Sequence, residues 1–102
     1  MRTGEAIDAR NGANTAAFIG YLPAGFPDGE RSVRAAQELA GAGADIIEIG
    51  LPYSDPTMDG GTIQVAGQQA LAGGFRVRDV FRNVEAVANA GVVPLIMTYY
   101  NL

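Results

Sequence analysis

Cysteine, histidine and lysine are all missing from this sequence. Without cysteine there is no disulfide, no thiolate nucleophile and no zinc–thiolate centre. Without histidine the commonest general base and metal ligand is gone, so no metal site is expected. All seven cationic side chains are arginine, which leaves no lysine to form a Schiff base. No apolar run approaches the roughly 18 residues of a membrane span. The opening Met1-Arg2-Thr3-Gly4-Glu5 has no apolar signal-peptide core, which points to a cytoplasmic protein. A net charge of −4 argues against nucleic acid or an anionic membrane as partner. Chemistry is left to carboxylates, Tyr, Ser/Thr, Asn/Gln, Arg and backbone amides.

The 102 residues, 48% of them apolar, suffice for one modest core. Thr3 to Arg10 reads as a short leading helix, and Asn11-Gly12 as a break. Ala16 to Tyr21 reads as a first strand, followed by the breaker-rich loop Leu22 to Gly29. Asp28 is placed to cap a helix whose apolar positions are Val33, Ala36, Leu39 and Ala40, with Gly41 and Gly43 as its stop. A second strand spans Asp45 to Gly50. Thr62 to Ala72 has helical composition and ends at Gly73-Gly74. Val77, Val80, Phe81, Val84, Val87 and Ala88 form an amphipathic stripe, expected to be core. Val92 to Tyr99 reads as a third strand, with Pro94 near its start. Strands alternating with helices imply an α/β fold of parallel strands joined by right-handed crossovers. Three such strands neither cover both faces of a sheet nor close a barrel, so the chain reads as the opening of a longer fold.

The second strand carries an anomaly. Within the apolar run Ile46-Ile47-Glu48-Ile49, a carboxylate stands two residues before Gly50. Removing an ionised carboxylate from water costs several kcal/mol unless something compensates, so Glu48 is expected to face a cavity with a purpose. A polar turn follows and ends in a second acid, Asp59. Strand, acid, tight loop and second acid together suggest the lip of an active site. Taken singly, each has a plainer explanation: a strand-end acid satisfied by backbone N–H groups, and a turn-forming aspartate before glycine.

The stretch Glu48-Ile49-Gly50-Leu51-Pro52-Tyr53-Ser54-Asp55-Pro56-Thr57-Met58-Asp59-Gly60 closely resembles the signature loop of the tryptophan synthase alpha chain family. Phe18 to Pro27 resembles that family's first strand and outgoing loop, and Met97-Thr98-Tyr99-Tyr100-Asn101 the end of its third strand. The resemblance implies a (β/α)8 TIM barrel, a fold of about 250 residues, of which residues 1–102 would supply about the first three β/α units. It implies a lyase of tryptophan biosynthesis that cleaves indole-3-glycerol phosphate to indole and glyceraldehyde 3-phosphate by a retro-aldol reaction. Glu48 would then be the catalytic acid and base, and Asp59 would accept the indole N–H. Tyr21 and Met97 would line the indole pocket and Thr62 would steady the Asp59 loop. Pro52 and Asp55 would face a partner β chain in a tetramer of two α and two β chains. Pyridoxal phosphate would belong to that β chain only, leaving this chain without a cofactor.

Two departures from the family pattern stand out. Asp59-Gly60-Gly61 replaces the usual Asp-Gly-Pro, exchanging a rigid residue for a permissive one. The glycine-rich phosphate loops of the later strands have no counterpart, so the 102 residues alone are expected to be inactive. Two other readings stay open: a different phosphate-handling barrel enzyme, and a non-catalytic half-barrel that self-associates or docks on a β chain.

Overall fold

The computed structural model describes residues 2–52 and 60–98. Helix α1 is Thr3–Gly12, β1 is Ile19–Pro23, α2 is Gly29–Gly41 and β2 is Ile46–Gly50. Helix α3, Gly61–Ala72, leads through a 3₁₀ turn, Val77–Asp79, into α4, Val80–Asn89, and then β3, Val93–Met97. The strands form a parallel sheet in the order β1-β2-β3, the arrangement of successive β/α units in a TIM barrel. Among the described residues no helix is long and apolar enough to cross a membrane.

Local chemistry accounts for the element ends. The Asp28 carboxylate accepts from the Arg31 N–H at 2.8 Å and caps α2. Gly43, at φ +106°, turns the chain out of α2 towards β2. Strand β1 begins three residues later than the sequence pattern suggests and runs on through Leu22 and Pro23. The Phe18 N–H donates to the Asp45 carboxylate at 2.8 Å, outside the strand ladder. Beyond Pro23, which has no N–H to give, the Ala24 N–H donates to the Gly50 carbonyl at 2.8 Å. Strand β3 ends at Met97 within the described residues; Tyr99, the last residue expected in it, lies outside them.

Alternation sorts β2 into two faces. Ile47 and Ile49 point to the helix layer, where they are buried with Ala36 of α2 and Val80 and Val87 of α4. Ile46 points the other way and is buried with Val93 and with Ala6 of α1, which closes the foot of the sheet. The apolar stripe of α4 enters the core only in part. Val80 and Val87 are buried, whereas Val77 and Phe81 are 54% and 64% exposed. Asn83 is buried in their place. Its amide donates to Ser32 Oγ at 2.6 Å, and the same oxygen accepts the Gly25 N–H at 2.9 Å. That tie between α4, α2 and the loop after β1 draws a polar position inward.

Gly25 is required twice over. Its φ is +82°, and a Cβ there would meet the Phe75 ring at 2.5–2.6 Å. Gly25→Ala is expected to destabilise the protein by about 1–3 kcal/mol, read as a lower midpoint in urea.

Asp45 fastens the foot of the sheet. One carboxylate oxygen accepts from Phe18, and the other pairs with Arg10 Nε of α1 at 2.8 Å. The Phe18 N–H above all, and then Arg10, hold this carboxyl below the usual carboxylate range against a small opposing effect of desolvation. A depressed folded-state value means that the contribution to stability is complete above the unfolded value. It fades as pH falls through the folded one. Urea unfolding of the wild type and Asp45→Asn should therefore differ at neutral pH and converge in acid below the ordinary aspartate range. A constant difference at every pH would contradict this.

Candidate active site

Glu48 lies on β2 between Ile47 and Ile49, so it faces away from the helix layer that buries both isoleucines. It is half-buried, two residues below the C-terminal end of the strand. In a parallel sheet, residues in register share a face. Tyr21 of β1 pairs with Glu48, and Glu48 with Leu95 of β3. One pair higher stand Pro23, Gly50 and Met97. With strands about 4.8 Å apart, this sets an acid in the middle of a shallow trough walled by an aromatic ring and two aliphatic chains. Ile19 and Met97 on this same face are exposed, so the trough is open among the described residues.

The chain leaves the trough at Leu51, whose N–H donates to the Met97 carbonyl at 2.9 Å. Pro52 is buried, and Gly67 of α3 lies close against it. Ala66, Gly67 and Ala70 are small enough for α3 to pack closely. Thr62 stands in the first turn of α3, exposed. Asp59 and Asp55 lie outside the described residues. Of the positions singled out in the sequence, Glu48, Tyr21 and Met97 are therefore brought together on one face, and Thr62 and Pro52 flank the point where the loop departs and returns. Leu95, directly opposite Glu48, has no signal of its own in the sequence beyond its place in an apolar strand.

A second concavity, about 190 Å³, lies between the loop after β1 and the start of α4, lined by Gly25, Asp28, Phe75, Asp79, Arg82 and Asn83. It contains none of the trough residues. Its carboxylates are engaged, Asp28 by the Arg31 N–H and Asp79 by the Arg76 N–H, both at 2.8 Å. Both carboxylates thus serve helix capping, and among the described residues no buried side-chain polar atom lacks a hydrogen-bond partner.

The family model for the tryptophan synthase alpha chain matches residues 7–102. The curated tryptophan synthase alpha chain of Mycobacterium ulcerans is 53% identical over 100 residues, which is 98% of this chain and 37% of that protein. A crystal structure of tryptophan synthase from M. tuberculosis, in an open form with BRD0059 bound, superposes with a TM-score of 0.94 at 52% identity, covering 98% of this chain and 40% of the other. A tryptophan synthase complex from Pyrococcus furiosus is 40% identical with a TM-score of 0.72, over 83% of this chain and 35% of that one. The chain thus spans a little over a third of the length of the curated relatives it matches.

Proposed function

Because this chain belongs to the tryptophan synthase alpha chain family, a family of lyases, we propose that the protein carrying it cleaves indole-3-glycerol phosphate to indole and glyceraldehyde 3-phosphate. The observation that carries this reading is the half-buried Glu48, two residues below the C-terminal end of β2, on the face opposite the α2–α4 layer and in register with Tyr21. Active sites of TIM barrels lie at the C-terminal ends of the strands, and this acid faces the sheet two residues below that end of β2.

The reaction moves protons with no net change. C3 of the indole gains one, the ring N–H lends its proton as the indolenine forms and regains it as indole leaves, and the side-chain hydroxyl next to C3 gives one up as the C3–carbon bond breaks and that carbon becomes the aldehyde. No imine with the protein is required, which fits a sequence without lysine. Glu48 delivers the proton to C3 and takes one from the hydroxyl. Asp59 accepts the indole N–H and stabilises the positive charge that develops on nitrogen. Tyr21 and Met97 sandwich the flat ring, and Thr62 helps to hold the loop that carries Asp59. The substrate phosphate is bound by later parts of the barrel. Pyridoxal phosphate is assigned to a partner β chain, in a cytoplasmic tetramer of two α and two β chains. Pro52 and Asp55 would face that partner; Pro52 is buried here.

The uncovered apolar side chains Ile19, Leu95 and Met97 favour one other reading, a non-catalytic half-barrel that self-associates or docks on a β chain. A single assay decides between them. Indole release from indole-3-glycerol phosphate that is lost in Glu48→Gln supports the lyase, and equal low rates for both proteins support the module.

A further inference from the structure

Gly50 has an ordinary backbone: it is not among the glycines with positive φ, so its conformation is open to any residue. It nonetheless ends a buried strand, where glycine weakens the sheet relative to alanine. Space explains the choice. A Cβ built on Gly50 would fall on the Tyr21 phenol oxygen, with ring carbons at 2.7 and 2.9 Å. Tyr21 is in register with Glu48, not with Gly50, so its ring leans diagonally across β2 and ends one pair higher, at the rim. The bare Cα of Gly50 is the seat of that ring.

We propose that Gly50 is a positioning residue for the retro-aldol site: by having no side chain it fixes the Tyr21 ring as the wall beside Glu48 against which a flat aromatic substrate packs. This rests on the lyase reading above. Leu39 offers a comparison on the other face, where the blocking atoms over Gly20 are the branched end of an aliphatic chain packed against the core. The Tyr21 ring, in contrast, is a rigid plate on the trough face and moves only as a whole. With a methyl group at position 50 it must swing out past the rim or down over Glu48, into the volume the substrate needs.

The test is a double-mutant cycle in the full-length protein with indole-3-glycerol phosphate as substrate. Gly50→Ala should raise KM by roughly 10- to 100-fold with much less effect on kcat, the signature of a misplaced wall with an intact acid. Tyr21→Leu removes the ring. Adding Gly50→Ala to that variant should change KM no further, because Gly50 acts only through Tyr21. An equal effect of Gly50→Ala in both backgrounds, or no effect in either, overturns the proposal. An NMR measurement needs no turnover. The Gly50 Hα resonances, beneath the ring, should move in Tyr21→Leu, and unmoved resonances overturn the contact itself. A wild-type protein that releases no indole while those resonances still move would sink the lyase reading, and with it the positioning role, while leaving the contact standing.

Discussion

Glu48→Gln is expected to lower kcat for indole release by about 10²- to 10⁴-fold while leaving KM within a small factor of the wild type. The amide has nearly the shape of the carboxyl and can still hydrogen-bond, so substrate binding is preserved. It cannot donate a proton to C3 or accept one from the hydroxyl, so both transfers lose their agent. Glu48→Asp makes an informative companion. It keeps the ionisable group but withdraws it by one methylene towards β2, and should fall between wild type and Gln. Because Glu48 is half-buried on the open face of the sheet, neither change digs a cavity in the core. Steady-state rates with purified full-length protein read the effect. A Gln variant with wild-type kcat would take Glu48 out of the chemistry.

The largest effect on stability should come from the neighbouring residue. Ile47 is fully buried between β2 and the α2–α4 layer. Ile47→Ala removes three carbons from that contact and leaves a void that close-packed neighbours only partly fill, at a cost of about 2–5 kcal/mol. Against a typical total of 5–15 kcal/mol, that is enough to lower a urea midpoint visibly or to prevent folding at 37 °C. Phe81→Ala, in contrast, removes a larger side chain that is mostly exposed, and should change stability by about 0.5 kcal/mol or less. Chemical denaturation of the three proteins checks the order. A Phe81→Ala variant as damaged as Ile47→Ala would mean that the α4 face is covered in solution.

Most of the architecture was readable from local pattern. Strand β2 is a run of β-branched residues bounded by glycine, α2 opens on a capping aspartate, and alternation alone sets Glu48 opposite Ile47 and Ile49. The start of β1 was not readable, because what fixes Phe18 is a carboxylate 27 residues away in the chain. The α4 stripe was overdrawn for a similar reason. Helical spacing marks Phe81 as readily as Val80, and only the Ser32–Asn83 bond shows which side turns inward. Gly50 looks like a strand terminator until the Tyr21 ring is seen above it. For Asp59 and Asp55, outside the described residues, the motif remains the sole source.

The alternation along β2 has a last implication, for assembly. Were the strand to pair one residue out of step, the two isoleucines would turn to the open trough and the Glu48 carboxylate would be driven into the dry helix layer. A mispaired sheet would thus suffer both an exposed apolar pair and a stranded charge. The acid proposed for catalysis doubles as a safeguard on strand alignment, a duty it performs before any substrate arrives.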